Sequence, residues 1–438
     1  MIIHYFRKGV SLALCAIAAT MACAAGQATF HVITYESRFG EVGAIIEGSP
    51  RVFYFNAGTN PSGILSITPQ GTQSVLATFP SGDNIQSALA SGANGRFYSS
   101  VEPGGNPGNV FSVSPEAGSK QVYSSQTLVP SLQQNLPDGT FLSLAGTTGG
   151  TWYLQTVDLE GNVTPIYQFP SDERALTALY ASDGNYYGIS ATNAGYLYRL
   201  TPSGALTTLL NFPSGTLNSP SVPPLIQASD GNLYGATYNG GANGYGAIYK
   251  LTLAGQYTLL YSFPKSPNSP PTALIEGSDG NLYGATYGHI ASGGYSLLFR
   301  VTKSGQYTLL YAMSNITADG ACQCSLVQGS DGNIYGTALS GGPDNGGAVF
   351  VLELGLPKPA PAAQHFHPNS AAVGTPIRIW GSNLLGASVE FNGVAATEVT
   401  NSGPNYVWAT VPAGATSGPI AITTPGGTVT TKASFTVE

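Results

Sequence analysis

One short sequence motif recurs along most of the chain at a nearly constant interval. Four close copies read Ser-Asp-Gly-Asn, then Tyr or Leu or Ile, then Tyr-Gly, at residues 182–188, 229–235, 278–284 and 330–336. Three diverged copies are centred on Pro50, Asn94 and Asp138. Neighbouring copies lie 44 to 52 residues apart, and a repeat of this length is typical of one four-stranded structural unit. The chain therefore predicts seven such units.

Residues 273–311 illustrate how one unit is encoded. Four short apolar segments follow one another, at residues 273–277, 282–287, 296–302 and 307–311. Residues 278–281 join the first two as a tight hairpin turn in which Gly280 can adopt a positive φ. The segments are apolar on both faces, as expected for a sheet that is covered by a neighbour on each side.

The two ends of the repeat array complement each other. After Asp331 the chain supplies strand segments at residues 333–338 and 348–354, but no fourth segment follows them. Residues 29–34 are similar to the fourth segment of other units, such as residues 257–261, yet no first three segments precede them. An exchanged strand would remove two unpaired sheet edges. We therefore predict an all-β protein with a seven-bladed β-propeller over residues 25–356, closed by strand exchange.

The best-preserved units also resemble a known repeat. Residues 229–237, 246–252 and 257–263 are similar to the GloVer tandem repeat of exported bacterial proteins. The resemblance is strongest in the last four units and covers residues 27 to about 355. It implies an exported β-propeller-like array and no established activity.

A second domain is expected after a Pro-rich linker at residues 357–362. Residues 363–438 are rich in Val, Thr and Gly with frequent turns, which favours an immunoglobulin-like β-sandwich. The segment resembles an IPT/TIG domain at residues 366–368, 374–383, 389–393, 411–418 and 420–423. Such a resemblance implies a spacer or accessory binding module. We interpret Trp380 and Trp408 as core residues rather than as a ligand platform.

The first 24 residues have the features of a signal peptide. Arg7 and Lys8 precede an apolar run at residues 10–21, and residues 22–24 form a small-residue cleavage site. No other apolar stretch approaches the roughly 20 residues of a membrane span. We expect an extracellular or cell-surface monomer without a transmembrane segment once the signal is removed. The alternatives are a periplasmic protein or one anchored through a lipid on Cys23.

The remaining cysteines and the repeated acids have ordinary structural interpretations. Cys322 and Cys324 are candidates for a local disulfide in an oxidising compartment, the alternatives being free or intermolecular thiols or a metal site. Calcium requires six to eight oxygen ligands, whereas each of the four close copies of the motif offers a single Asp within a hairpin turn, at Asp183, Asp230, Asp279 and Asp331. We therefore expect no metal and no cofactor.

Charge argues against one class of partner. Only 8% of the residues are charged, and the net charge of −7 becomes −9 when Arg7 and Lys8 leave with the signal peptide. Binding of nucleic acid depends on clustered Lys and Arg. We therefore expect no nucleic-acid partner.

Catalysis is the less favoured interpretation. Propellers can carry glycosidase or lyase sites, which require a converging acid and base. We interpret the acids as lying at non-equivalent places in the repeats, at Glu47, Glu102, Asp172, Glu276 and Asp319. We identify no catalytic residue, and a polysaccharide-active glycosidase or lyase is kept as the alternative.

The loops between the second and third segments are the candidate binding surface. They combine aromatic side chains with Gly and Asn, at Tyr238, Tyr245, Tyr287, His289 and Tyr295. Exposed aromatic rings among small polar residues suit a glycan or a cell-surface protein as partner. The alternatives are that each tyrosine packs against the next unit, and that the protein is a purely structural repeat of the cell surface.

Overall fold

Every regular element in the described part of the computed structural model is a β-strand. The described residues are 28–35, 42–58, 62–80, 84–85, 89–102, 108–114, 118–124, 128–147, 150–191, 195–213, 216, 225–265, 271–287, 296–313, 325–339, 346–401 and 403–438. Within these ranges no helix has the length and apolar character that crossing a bilayer would require.

The first 29 strands lie in the repeat region. They are β1 (Thr29–Tyr35), β2 (Val42–Ser49), β3 (Val52–Ala57), β4 (Ser62–Ile67), β5 (Gln73–Phe79), β6 (Asn84–Ile85), β7 (Ala90–Ser91), β8 (Phe97–Glu102), β9 (Asn109–Ser114), β10 (Gly118–Ser124), β11 (Leu128–Asn135), β12 (Phe141–Thr147), β13 (Trp152–Val157), β14 (Val163–Gln168), β15 (Arg174–Tyr180), β16 (Tyr186–Ala191), β17 (Gly195–Leu200), β18 (Leu206–Asn211), β19 (Ile226–Gln227), β20 (Leu233–Thr237), β21 (Ala247–Leu251), β22 (Tyr257–Ser262), β23 (Pro271–Glu276), β24 (Leu282–Thr286), β25 (Ser296–Val301), β26 (Tyr307–Met313), β27 (Leu326–Gln328), β28 (Ile334–Ala338) and β29 (Ala348–Glu353).

These strands form seven antiparallel sheets within the described residues. Sheets 1 to 6 follow the chain: β2 to β5, β6 to β10, β11 to β14, β15 to β18, β19 to β22 and β23 to β26. Sheet 7 has the order β1-β29-β28-β27. Because consecutive strands run antiparallel, the turns between first and second strands share one face with the turns between third and fourth strands. We call this the turn face, and we call the opposite face, which carries the loops between second and third strands, the loop face.

In sheets 4 to 7 the recurring glycine of the second strand makes room for an aromatic side chain of the third strand. A Cβ on Gly284 would lie 2.3 Å from Cζ of Phe299 and 2.7 Å from the carbonyl oxygen of Ala273. Phe299 belongs to the third strand of the same sheet and is fully buried. It packs, together with Val301, against Tyr234 of sheet 5. The aromatic residue over the glycine thus contributes to the apolar core between neighbouring sheets, where burial of apolar area stabilises the fold.

The predicted exchange of the first strand is present. β1 pairs antiparallel with β29, with Phe30 opposite Leu352 and Val32 opposite Phe350. The ring of Phe30 stacks on Tyr311 of sheet 6, with the ring centroids 4.1 Å apart. Tyr307, the corresponding residue of sheet 6, stacks in the same way on Tyr261 of sheet 5 at 4.3 Å. The first strand of the chain therefore reproduces the packing of an ordinary fourth strand.

A polar clamp also recurs between neighbouring sheets. In each copy a side chain at the end of a first strand accepts a hydrogen bond from the backbone N–H of a serine in the preceding unit and makes a second bond with that serine's hydroxyl. The pairs are Gln227 with Ser182, Glu276 with Ser229, Gln328 with Ser278, and Glu47 with Ser330. The last pair joins sheet 1 to sheet 7 across 283 residues of sequence. The two ends of the array are therefore in direct contact.

The C-terminal residues form a separate pair of sheets. Their strands are β30 (Ala362–His367), β31 (Ser370–Ala371), β32 (Pro376–Ser382), β33 (Ser388–Phe391), β34 (Val394–Ala395), β35 (Val399–Asn401), β36 (Tyr406–Thr410), β37 (Gly418–Thr424) and β38 (Gly427–Val437). One sheet has the order β30-β32-β36-β35 and the other β31-β38-β37-β33-β34. Buried apolar residues from both sheets, such as Ile379 and Phe391, form one core. We call this pair of sheets the C-terminal module.

Candidate functional site

The repeated aspartates of the turn face are occupied by local hydrogen bonds. Asp230 accepts hydrogen bonds from the backbone N–H of Asn232 at 3.1 Å and from its side-chain amide at 2.9 Å. The hydroxyl of Tyr234 donates a third at 2.8 Å. The same three bonds recur at Asp183, Asp279 and Asp331. These acids therefore hold the hairpin turn and tie it to the second strand.

This arrangement also shifts the proton affinities of the groups in the turn. Burial alone would raise the pKa of Asp230, but the hydrogen bonds from Asn232 and Tyr234 outweigh it and hold that pKa below its ordinary value. Burial, followed by the hydrogen bond to Asp230, raises the pKa of Tyr234. The pair therefore stays as a phenol and a carboxylate at neutral pH.

Two acids that looked unrelated in the sequence occupy the same structural position. Glu47 and Glu276 are both clamp residues, so the expectation that they lie at non-equivalent places was wrong. The sequence obscures this because the other copies of the clamp carry glutamine, at Gln227 and Gln328. Glu276 also binds the ammonium group of Lys303 at 2.5 Å. Both carboxylates are thus engaged in joining sheets.

The loop that carries Tyr238 and Tyr245 is fixed in place on the loop face. The backbone N–H of Asn239 donates to the carbonyl of Thr216 at 3.2 Å, and the N–H of Ala242 donates to the hydroxyl of Ser262 at 2.9 Å. The side-chain amide of Asn243 donates to the carbonyl of Phe263 at 3.2 Å. Such a loop presents its side chains with little loss of conformational entropy on binding.

The predicted site residues differ in their surroundings. Tyr238 and Tyr287 are half-buried. Tyr245 is also half-buried and packs against the apolar core between sheets 5 and 6. It is therefore less exposed than the sequence suggested. His289 and Tyr295 lie outside the described residues.

Cys322 and Cys324, the predicted disulfide, also lie outside the described residues. Among the residues that the structure describes, no group of three or more His, Cys, Asp or Glu side chains is arranged to hold a metal ion.

A second polar group on the loop face was missed by the sequence analysis. The hydroxyl of Tyr196 donates a short hydrogen bond to Oε2 of Glu173, and the hydroxyl of Ser190 donates to the same oxygen at 3.3 Å. Arg174 follows Glu173 in the sequence, and its guanidinium carbon lies 5.6 Å from the centre of the Trp152 ring. We call these five residues the Glu173 cluster. Three adjacent charged residues, Asp172, Glu173 and Arg174, were the available signal in a chain with so few charges.

The C-terminal module contacts the turn face of sheets 2 and 3. The indole N–H of Trp408 donates to the carbonyl of Ala93 at 2.7 Å. The hydroxyl of Tyr406 donates to the carbonyl of Leu136 at 3.1 Å. Arg378 donates to the carbonyl of Asp138 at 2.9 Å. These bonds fix the module against the repeats.

An open cavity of about 410 Å³ lies along this contact. It is lined by Ala93, Asn94, Leu159, Pro376, Arg378, Glu398, Thr400, Trp408 and Thr410. Trp380 is buried, as expected, but Trp408 is only half-buried and forms part of the cavity wall. The interpretation of Trp408 as a core residue was therefore incomplete, because the sequence does not show that the two modules meet at this strand.

Comparison with solved structures identifies proteins of similar fold. Virginiamycin B lyase from Staphylococcus aureus is 16% identical with a TM-score of 0.53, over 75% of this chain and 99% of that one. A catalytically inactive variant of the same lyase, with quinupristin, gives 15% identity and a TM-score of 0.54. A fungal alcohol oxidase of the AA5 family, in complex with copper, is 13% identical with a TM-score of 0.50, over 93% of this chain and 98% of that one. Identities this low show the fold alone.

Comparison of the sequence with protein families identifies a match in the repeat region. No curated protein matches the chain. Residues 173–376 match the model of the Gloeobacter/Verrucomicrobia repeat. This segment contains sheets 4 to 6, the best-preserved copies of the motif and most of sheet 7. The protein is thus an all-β, propeller-like repeat protein whose residues 173–376 match the Gloeobacter/Verrucomicrobia repeat family.

Proposed function

We propose that this protein is an exported, non-catalytic binding protein whose loop face recognises a glycan or a cell-surface protein. The observation that carries the proposal is the hydrogen-bonded loop at residues 238–246, which holds Tyr238 at the loop face. Preorganised aromatic side chains are the usual anchors of binding surfaces. The acids of the turn face, by contrast, are occupied by bonds within the repeats.

The scaffold in this proposal is a seven-bladed propeller. Its support is the set of seven sheets, together with the β1–β29 pair and the Glu47–Ser330 clamp that join the ends of the array. A ring closed in this way gives the loops of neighbouring blades fixed relative positions. A binding face can then extend over several blades.

The C-terminal module is proposed to be an immunoglobulin-like domain of the IPT/TIG type. The support is the sequence resemblance together with two sheets around one apolar core. In this proposal the domain serves as a spacer or an accessory binding module.

Export rests on the sequence of residues 1–24, which lie outside the described residues. In the proposal, cleavage there releases a protein to the cell surface or the medium. Lipid attachment to Cys23 or retention in the periplasm is the alternative, and mass spectrometry of the exported N-terminus distinguishes these outcomes.

A second candidate function is a glycosidase or lyase that acts on polysaccharides. The observation that favours it is the Glu173 cluster. There the phenol of Tyr196 donates a hydrogen bond to the carboxylate of Glu173, beside the guanidinium group of Arg174. Acid–base chemistry uses such pairs. Burial and the bond to Glu173 raise the pKa of Tyr196, which keeps the phenol protonated at neutral pH.

The binding proposal is tested with the mature protein and an array of neutral and acidic glycans. We expect retention of at least one glycan class, and Tyr238→Ala to weaken that binding by roughly 10-fold, as expected for the loss of an aromatic anchor. Tyr257→Ala is the matched control, because Tyr257 is 42% exposed but lies on an outer strand. The proposal of a glycan partner fails if no glycan of the array is retained, or if both variants bind alike.

A further inference from the structure

The cavity between the C-terminal module and the repeats has the composition of a ligand site. Its volume of about 410 Å³ falls within the range of small-molecule sites, and such sites occur preferentially where domains meet. One wall comes from strands β32, β35 and β36, and the other from Asn94 and Leu159 in turns of sheets 2 and 3. The cavity lies on the turn face, away from the loop that carries Tyr238.

The aromatic side chain in this wall is held in a fixed position. The indole N–H of Trp408 is bonded to the carbonyl of Ala93 at 2.7 Å, and the ring is half-buried along the cavity. A tryptophan that is fixed by its polar edge can offer the rest of its ring to a flat apolar surface without losing rotamer freedom.

The charged groups in the wall balance each other. Arg378 and Glu398 both line the cavity. In the part of the chain that the structure describes, neither has an oppositely charged side chain within 4.0 Å. Arg378 uses part of its guanidinium to bind the carbonyl of Asp138. A donor and an acceptor of full charge are therefore present at one cavity, with the amide of Asn94 beside them.

This combination selects a class of ligand. An anion would be repelled by Glu398 and a cation by Arg378, and a purely apolar ligand would displace water from both charges without offering them a hydrogen bond. Sugar hydroxyls both donate and accept, so they can satisfy both groups. The C–H face of a pyranose ring can in addition stack on the indole of Trp408.

We propose that this inter-module cavity binds a neutral oligosaccharide, with Trp408 as the stacking platform and Arg378, Glu398 and Asn94 as hydrogen-bonding groups. The site is distinct from the loop face. The C-terminal module then contributes directly to recognition, and the binding site exists only where both modules are present.

The test uses the mature full-length protein and four neutral tetrasaccharides: cellotetraose, laminaritetraose, maltotetraose and chitotetraose. Isothermal titration gives the affinity, and tryptophan fluorescence reports on the cavity. We expect one of the four sugars to bind and to change the fluorescence. Glu398→Ala should weaken binding about 10-fold, and Trp408→Ala should weaken it more than 10-fold, as for hydrogen-bonding and aromatic anchors.

Two control variants separate binding from packing. Trp380→Phe alters the same inter-module contact at a buried residue outside the cavity wall, so it should leave the affinity unchanged. Because Glu398 is exposed, its alanine variant tests the site even where Trp408→Ala disturbs the fold. The inference is overturned if none of the four sugars binds, or if Glu398→Ala binds as the wild type does.

The loop-face variant distinguishes this inference from the proposed function. Tyr238→Ala should leave binding at the cavity intact. If Tyr238→Ala abolishes tetrasaccharide binding while Glu398→Ala has no effect, the loop face is the binding site and the cavity inference is wrong.

Discussion

Replacing Phe30 by alanine tests whether β1 completes sheet 7 as an integral strand. The ring of Phe30 is half-buried, stacks on Tyr311 at 4.1 Å and lies 5.3 Å from the ring of Phe350. A fully buried Phe→Ala change costs about 3–5 kcal/mol, and an aromatic pair adds about 0.5–1.5 kcal/mol beyond area. Because the ring is only partly buried, we expect a loss of roughly 2–4 kcal/mol in the free energy of unfolding.

The corresponding residue of sheet 6 provides the matched control. Tyr307 stacks on Tyr261 as Phe30 stacks on Tyr311, so Tyr307→Ala should cost a similar amount. Urea denaturation measures the loss in the free energy of unfolding for both variants. Hydrogen exchange at the amides of β29 shows where Phe30→Ala acts. Phe30→Ala should accelerate exchange there, whereas Thr29→Ala, a change on the same strand, should have little effect.

A clear asymmetry between Phe30→Ala and Tyr307→Ala would show that β1 is not an integral strand of sheet 7. If Tyr307→Ala destabilises the protein while Phe30→Ala leaves unfolding and exchange unchanged, then β1 contributes nothing to closure. The ends of the repeat array would in that case be held by the contacts between sheets 1 and 7, which are the Glu47 clamp and the apolar packing of Phe53 on Tyr335.

Three further predictions concern the clamp, the repeat glycine and the candidate site. Burial raises the pKa of Glu47 above the ordinary value of 4.5, so the folded protein holds this proton more tightly than the unfolded chain does. The free energy of unfolding should therefore fall as the pH rises from the ordinary pKa to the raised one. Glu47→Gln should remove that fall when unfolding is measured from pH 4 to 8. Gly284→Ala should cost about 3 kcal/mol in urea denaturation because its Cβ would meet Phe299, whereas Gly280→Ala, with φ of 78° and open space around it, should cost only about 1–2 kcal/mol. Tyr245→Ala should lower the free energy of unfolding by about 1–2 kcal/mol, since its ring packs against the core between sheets; an unchanged value would mean that the ring is free to bind.

The all-β repeat architecture was readable from the sequence because it depends on local patterns. In the four close copies of the motif the hairpin is encoded by an Asp-Gly-Asn turn, and Gly280 indeed has a positive φ. The pairing of β1 with β29 was also predictable, since a fourth-strand motif at residues 29–34 was matched by a missing one after residue 354. These inferences needed only the order and spacing of short segments.

The clamp was not readable because its chemistry tolerates two residue types. Glutamine and glutamate both accept a hydrogen bond from a serine N–H, so Gln227 and Glu276 make the same contact between sheets although their charges differ. The clamp position therefore carries an acid in some repeats and an amide in others, and it is not recognisable as a repeated acid. The contact becomes recognisable only when the partner serine, which lies in another unit, is known.

The candidate sites depend on contacts between distant segments. Trp408 lines a cavity because Ala93, 315 residues away in sequence, accepts its indole N–H. Likewise, the Glu173 cluster brings together residues from three strands of sheet 4 and from one strand of sheet 3. Hydrophobic patterns indicate that such residues are near a core, but they do not indicate which surface is left open.

The central claim is that the protein binds its ligand without chemical change. The most direct measurement incubates the mature protein with a polysaccharide that it retains and follows both the bound fraction and the release of new reducing ends or unsaturated sugar products. We predict stable retention with no new chain ends. Cleavage that is abolished by Glu173→Gln would contradict the claim and identify the protein as a polysaccharide-cleaving enzyme.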